Sequence, residues 1–212
     1  MPTAAKSKVS ARQPPRREDR SASRRAAILA AALEEFGAQG FTAARLDDVA
    51  KRAGVAKGTI YLHFRDKEAL FEELIRDMLT PVVGKIEAMR DADLPLPQLG
   101  AVLVEFFVND VLGTRRKDVI RLMIAEGPRF PKLAEFYYRE VLSRIFGAMQ
   151  AILARAAARG EAPPALAQFP QLVAAPGLVA VVWAGLFEKF QPLDVRAMLK
   201  AHFDILFAPR SS

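Results

Sequence analysis

The segment LDDVAKRAGVAKGTIYLHF, residues 46–64, carries the most informative pattern in this 212-residue chain. Apolar residues recur at i, i+3, i+4 and i+7 from Leu46, which predicts a short helix with one buried face. Gly54 ends that helix, because glycine adopts the left-handed backbone conformation most readily. A second short helix begins at Lys57, with Ile60 filling the space between the two. The pattern fits either a helix-turn-helix that reads DNA or a packed helical hairpin with no DNA role.

The residues on both sides of this hairpin favour DNA binding. The segments AAILAAALEEFGAQGFTAARLDDVAKRAG and GVAKGTIYLHFRDKEALF closely resemble the DNA-binding region of the TetR family of transcriptional regulators. The resemblance covers about residues 24–74. Its most specific parts are the Gly40–Phe41 pair, the combination of Ala50, Gly54 and Val55, and KGTIYLHF followed by DKEALF.

Helical periodicity continues to the C-terminus without a strand pattern, which predicts an all-α fold. We expect a disordered basic tail over residues 1–22, because this segment has almost no large apolar residues. An N-terminal three-helix helix-turn-helix DNA-binding unit is expected over residues 23–66. A larger helical domain for ligand binding and dimerisation, which the resemblance implies, would occupy residues 67–212.

Polar and proline residues predict where several helices begin or end. Ser23 is the expected N-cap of the first helix, which Gly40 ends. Asp66 is the expected N-cap of a long helix, and Pro81 is expected to kink or break that helix. Asp194 is the expected N-cap of the last helix.

Composition and charge narrow the classes of function. Residues 1–66 hold 13 Lys and Arg against 7 Asp and Glu, whereas residues 67–212 hold 18 against 17. The basic excess therefore lies in the part expected to meet a polyanion. The chain has no Cys and only two His, so we predict no metal, no cofactor and no enzymatic activity. No signal-peptide pattern and no long uncharged apolar run are present, which predicts a cytoplasmic protein that does not span a membrane.

The family resemblance places the helix beginning at Lys57 in a DNA major groove. Lys57 has a cationic arm long enough to reach a guanine edge or a phosphate. Gly58 would let the backbone approach closely, and Thr59 offers a hydroxyl and a methyl group. Leu62 occupies an outward position from which it would contact a thymine methyl.

Other side chains would contact phosphates, which position a protein without reading sequence. Tyr61 and His63 resemble the phosphate-contacting pair of the family, and Lys67 would add a contact from the next helix. His63 also fits an ordinary packed residue. Many relatives have a Thr pair where this chain has an Ala-Arg pair ending at Arg45, so we expect Arg45 to hold the phosphate and Thr42 to cap the helix instead.

The resemblance also implies an effector pocket in the C-terminal part, where aromatic and Met side chains are concentrated. At helical spacing such residues usually fill a core, and that alternative stays open. If a pocket exists, its lining predicts a lipophilic or aromatic effector. The candidates are Phe106, Phe107, Met123, Phe136, Tyr137, Phe146, Met149 and Trp183, with Arg121 or Glu126 as a polar anchor.

Family members of this kind bind pseudo-palindromic operators as two-fold homodimers. The apolar faces of the last two helices would meet their copies, although the same faces also fit burial within one chain. The candidate interface residues are Val181, Val182, Leu186, Met198, Leu199 and Ile205.

These observations predict a sequence-specific transcriptional regulator, a dimeric repressor released from double-stranded operator DNA by a small molecule. A ligand-independent or activating regulator of the same fold is one alternative. A basic protein of the membrane surface is another, and it would bind lipid as strongly as DNA and show no sequence preference.

Overall fold

The computed structural model describes residues 17–92 and 94–208, and in these ranges the chain is helical with no strand. The predicted all-α fold is confirmed. The eleven helices are α1 (Arg17–Ala43), α2 (Leu46–Arg52), α3 (Lys57–His63), α4 (Lys67–Ala92), α5 (Leu96–Phe106), α6 (Arg116–Glu126), α7 (Pro131–Tyr137), α8 (Ser143–Ala158), α9 (Pro164–Gln168), α10 (Gln171–Leu186) and α11 (Val195–Leu206). A π-helical segment follows both α5 (Phe107–Leu112) and α7 (Tyr138–Leu142), and a 3-10 turn follows α6 (Gly127–Arg129).

The first helix begins six residues earlier than predicted. Helix α1 starts at Arg17, so Ser23 lies inside it and the prediction of an N-cap at Ser23 is wrong. The predicted disordered tail lies outside the described residues up to residue 16, and residues 17–22 belong to α1. The predicted domain boundaries stay a prediction, since one continuous cluster of buried residues extends through both parts of the chain.

Gly40 interrupts the regular backbone near the end of α1 and turns Phe41 into the core. Its φ of 73° lies in the left-handed region, which costs a residue with a Cβ roughly 1–2 kcal/mol. Phe41 is fully buried, and its ring lies 5.4 Å from the ring of Phe36 and 5.3 Å from that of Phe71. These three rings join α1 to α4 in the core of the N-terminal unit.

Helix α4 connects the N-terminal unit to the rest of the molecule. Its Asp66 cap is confirmed, because the side chain of Asp66 accepts a hydrogen bond of 2.7 Å from the Ala69 N–H. The helix continues through Pro81 to Ala92, so the predicted break is absent. Contacts of α4 with α1, α6, α7 and α8 stabilise the helix on several sides, which offsets the hydrogen bond that a proline cannot donate.

One helix and one bent pair of helices, all in the helical bundle that follows α4, resemble membrane spans by length and composition alone. Pro131–Ala158 passes this test by itself, and Leu96–Leu112 with Arg116–Arg129 passes it as a pair bent by 79°. Buried helices of globular proteins pass the same test. We assign these helices to the bundle, because α8 packs on α4 and α9, and α5 packs on α11.

We predict that Gly40→Ala destabilises the fold by more than Gly54→Ala does. Both glycines have a left-handed φ, but only at Gly40 would the new Cβ approach another group, at 2.8 Å from Oε1 of Glu126. Gly54→Ala is expected to cost about 1–2 kcal/mol for its backbone strain. Chemical denaturation measures both free energies of unfolding.

Gly84→Ala is the matched control, because Gly84 lies within α4 and a Cβ there would meet no atom within 4 Å. It is expected to stabilise the protein by about 1 kcal/mol through helix propensity. Equal losses for Gly40→Ala and Gly54→Ala would show that the Glu126 carboxylate moves away from the new Cβ at no measurable cost.

Candidate DNA-binding surface and effector cavity

Helices α2 and α3 form the predicted helix-turn-helix. Gly54 adopts a φ of 67°, and its N–H donates to the Lys51 carbonyl at 3.2 Å. The Val55 N–H donates to the Ala50 carbonyl at 3.0 Å, which closes the turn. Ile60 is fully buried between the helices, as the spacing predicted.

The opposite face of α3 is open to solvent. Leu62 is 85% exposed and Tyr61 is 49% exposed. Lys57, Gly58 and His63 are also exposed, and Thr59 is half-buried. A Cβ placed on Gly58 would meet no atom within 4 Å, so nothing in the described chain covers the backbone there.

Lys57 is held by an ion pair at the edge of this face. Its Nζ lies 2.6 Å from Oδ2 of Asp47 on α2. The hydrogen bond to Asp47, followed by the attraction between the two charges, raises the pKa of Lys57. Lys57 is therefore fully cationic at neutral pH, and a DNA acceptor would compete with Asp47 for its ammonium group.

Thr42, Arg45 and Lys67 lie near the ends of helices α1, α2 and α4. Thr42 does not cap α2, since the N-cap is Arg45 and no side chain bonds the first turn. Among the described residues the Arg45 side chain has no partner, which leaves its guanidinium available. Lys67 has a role that the sequence did not predict. Its Nζ donates to the carbonyls of Thr42 at 2.9 Å and Ala44 at 3.2 Å, and it lies 4.7 Å from the centre of the Phe41 ring.

A cavity of about 790 Å³ lies among helices α4 to α8, α10 and α11. Six of the eight predicted pocket residues line it, namely Phe106, Phe107, Met123, Tyr137, Phe146 and Met149. The remaining lining is largely aliphatic and includes Val82, Ile86, Leu103, Val111, Ile120, Leu142, Ile145 and Val173. Both π-helical segments border the cavity, and such segments are frequent at functional sites. Whether an effector contacts these residues stays a prediction.

Two predicted pocket residues lie elsewhere. The ring of Phe136 is buried beneath the guanidinium of Arg76, 4.6 Å from its centre. Trp183 donates its indole N–H to the Gln191 carbonyl at 2.7 Å and packs edge-on against Phe187. Phe136 lies in α7 and Trp183 in α10. Both helices carry apolar side chains on more than one face, so the sequence pattern did not show which face lines the cavity.

The two proposed polar anchors are engaged outside the cavity. Arg121 Nε donates to the Val181 carbonyl at 3.2 Å, and its guanidinium pairs with Asp118. Glu126 Oε1 accepts a hydrogen bond of 3.1 Å from the Phe41 N–H, 85 residues earlier in the chain. Neither residue lines the cavity.

The contact made by Glu126 connects the region beside the cavity to the N-terminal unit that holds the helix-turn-helix. Glu126 is the last residue of α6, and the next two residues, Gly127 and Pro128, line the cavity. The Phe130 ring packs against the Phe41 ring at 4.7 Å, from the same turn after α6. A movement of this turn would therefore displace Phe41.

Helices α10 and α11 carry an exposed apolar surface that differs in part from the predicted one. Val181 and Leu199 are buried and line the cavity, so their assignment to a dimer interface is wrong. Val182 and Met198 are half-buried. Leu186 and Ile205 are exposed as expected, and Leu172, Leu178 and Val179 of α10 are further exposed apolar residues that the sequence pattern did not indicate.

The fold and these two sites define a class of protein, a helix-turn-helix DNA-binding protein with a separate cavity in a helical bundle. Residues 28–74 match the family model described as bacterial regulatory proteins of the tetR family, and residues 98–204 match the tetracyclin repressor-like C-terminal domain. The chain belongs to the TetR family of transcriptional regulators.

Individual relatives are more distant. The transcriptional repressor KstR2 of Mycolicibacterium smegmatis is 31% identical over 124 residues, which cover 58% of this chain and 59% of that protein. This chain thus spans somewhat over half the length of that relative.

Among solved structures, SmeT, the repressor of the Stenotrophomonas maltophilia multidrug efflux pump SmeDEF, has a TM-score of 0.68 at 23% identity, covering 87% of this chain and 88% of that one. FadR of Bacillus subtilis in complex with stearoyl-CoA has a TM-score of 0.65 at 20% identity, covering 86% and 97%. At these identities the two structures show a shared fold.

We predict that Asp47→Ala lowers the pKa of Lys57 toward its ordinary value, because the variant removes both the hydrogen bond and the charge of Asp47. A raised pKa means that the ion pair stabilises the fold at neutral pH and that this contribution is lost as the pH rises through the Lys57 pKa. An NMR titration of the lysine side chains measures the shift. Asp48→Ala is the control, since Asp48 lies in the same first turn of α2. An unchanged Lys57 pKa in Asp47→Ala would contradict the ion pair.

Proposed function

We propose that this TetR-family regulator is a homodimeric repressor. It would bind a pseudo-palindromic operator through α3 and leave that operator when a small lipophilic effector occupies the cavity. The observation that carries the DNA-binding part is the two-sided character of α3. Ile60 fixes the helix to the core, and the opposite side exposes Leu62 and an open backbone at Gly58. The protein would act in the cytoplasm, where its DNA lies.

On this proposal the residues of α3 divide into two groups. Lys57, Gly58, Thr59 and Leu62 would face base edges in the major groove, where each base pair shows a distinct pattern of donors and acceptors. Tyr61, His63 and Arg45 would contact phosphates. Lys67 would mainly fix the backbone before α2 by donating to the carbonyls of Thr42 and Ala44. Its third N–H group would donate to a phosphate.

Dimerisation is proposed to occur through the exposed apolar surface of α10 and α11. Helix α10 is apolar on nearly all sides, and a helix of that kind needs cover on both faces. One face lies on the cavity, and the other exposes Leu172, Val179 and Leu186, which are 45%, 51% and 62% exposed. A second copy of this chain would bury them and place two α3 helices about one turn of DNA apart.

Effector binding would be transmitted through the turn after α6. This turn contributes Gly127 and Pro128 to the cavity and holds Phe41 through Glu126 and Phe130. An effector that favours a different position of the turn would shift α1 and α4, and with them the spacing of the two reading helices. Operator affinity would then fall by the ratio of the effector's affinities for the two conformations.

Selection of bound sequences from a random DNA pool at two salt concentrations tests the DNA-binding part. Recovery of a palindromic sequence whose affinity decreases steeply with salt is the expected result. Recovery of no preferred sequence would overturn the proposal and favour a non-specific basic protein.

We predict that Lys57→Ala reduces discrimination between the selected operator and scrambled DNA by about 1–3 kcal/mol, the usual value of a base contact by a cationic side chain. Fluorescence anisotropy with both DNAs measures it. Lys85→Ala is the matched control, because Lys85 is also an exposed lysine paired with an aspartate, Asp110, but lies on α4. Unchanged discrimination in Lys57→Ala would remove the proposed base contact.

We predict that Ile205→Glu weakens the dimer by at least tenfold, because Ile205 is 78% exposed on α11 and a charge buried without a partner at an interface costs roughly 1.4 kcal/mol or more. Sedimentation equilibrium measures the dissociation constant. Val102→Glu is the control, since Val102 is an exposed apolar residue on α5. Equal association of the two variants would place the interface elsewhere.

A further inference from the structure

The described wall of the cavity is almost entirely apolar. Among the described side chains that line it, only Tyr137 and Gln171 are polar, and none is charged. Gln171 is exposed at the start of α10. Tyr137 ends α7, where the helix passes into its π-helical segment. The described wall of the cavity thus has one half-buried hydroxyl residue, Tyr137, and is apolar apart from it and Gln171.

Within residues 17–92 and 94–208, the Tyr137 hydroxyl has no hydrogen-bond partner. Burial raises the pKa of Tyr137 to about 12, so the group stays protonated at neutral pH and can donate. Tyr137 is half-buried and lines the cavity, so a hydroxyl that makes no hydrogen bond within the described chain is available to donate to a ligand, and such a bond would favour binding.

Ionic side chains close to the cavity are already engaged elsewhere. Arg121 donates to the Val181 carbonyl and pairs with Asp118. Glu126 accepts from the Phe41 N–H with Oε1, and its buried Oε2 makes no hydrogen bond within the described residues but lies 3.7 Å from Nη1 of Arg129. Transfer of a carboxylate or an ammonium group from water into such a wall is costly, because no opposite charge is available there. The wall therefore disfavours ligands that must bury a charge.

We propose that the effector is an uncharged lipophilic molecule with one hydrogen-bond acceptor, such as a ketone, ester or ether oxygen. This oxygen would accept a hydrogen bond from the Tyr137 hydroxyl. This inference rests on the proposed effector site and adds the chemistry of the ligand. A cavity of about 790 Å³ has the size of sites for drug-sized ligands. The fold is shared with FadR in its complex with stearoyl-CoA, but the cavity here selects against an anion within its walls.

Three probes of matched size test the inference. Valerophenone has a carbonyl acceptor, pentylbenzene has none, and phenylvalerate is an anion at neutral pH. Competition with the uncharged fluorescent dye phenylnaphthylamine measures their affinities for the full-length protein. We expect valerophenone to bind about three- to tenfold more tightly than pentylbenzene, the range of one hydrogen bond. Phenylvalerate should bind more weakly than both.

Tyr137→Phe should abolish the preference for the ketone and leave the affinity for pentylbenzene unchanged. Tyr138→Phe is the matched control, because Tyr138 is the next residue, is 61% exposed and does not line the cavity. It should retain the wild-type preference. A ketone preference that persists in Tyr137→Phe, or tighter binding of phenylvalerate, would overturn the inference.

Failure of the underlying effector site gives a different result. If neither the dye nor any of the three probes binds, the cavity is not a ligand site and the effector part of the proposed function fails. If all bind but with no dependence on the acceptor, only the inference about Tyr137 fails.

Discussion

The placement of Phe41 is the constraint on which the two halves of this protein depend. Gly40 reverses the backbone with a left-handed φ, and Phe41 then enters the core between α1 and α4. Its ring contacts Phe130 from the regulatory bundle, and its N–H donates to Glu126. One residue thus takes part in the packing of the DNA-reading unit and in its attachment to the cavity. Loss of either contact would leave a buried group unpaired or a core poorly filled, and both are costly.

The orientation of α3 also depends on a small number of contacts. A helix of seven residues is too short to be stable alone, so its orientation depends on Ile60 in the core and on the closed turn before it. Its exposed side is consequently held rigid although it makes few contacts of its own. The ion pair between Lys57 and Asp47 adds a competitor for any DNA acceptor. If Lys57 contacts DNA as proposed, such competition would weaken non-specific association and favour sequences that offer the lysine a better partner.

Local features of the fold could be predicted from sequence, whereas features set by distant contacts could not. The turn at Gly54, the cap at Asp66 and the inward position of Ile60 follow from residues a few positions apart, and the structure has them as predicted. The partner of Glu126 is 85 residues away, and no local pattern indicates it. Lys67 likewise donates to the carbonyls of Thr42 and Ala44, at the end of α1 and just after it.

Helix α10 shows why the exposed apolar surface was only partly predicted. A hydrophobic pattern assigns a buried face only when polar residues mark the other face, and α10 has almost none. Its inner face was therefore indistinguishable from its outer face, and Val181 was assigned to the wrong one. The same uniformity has a functional consequence. A helix that lines the cavity on one side and is exposed on the other would connect an effector to a dimer partner directly, without passing through the DNA-reading unit. Effector and partner would then influence each other's binding by equal amounts, as thermodynamic linkage requires.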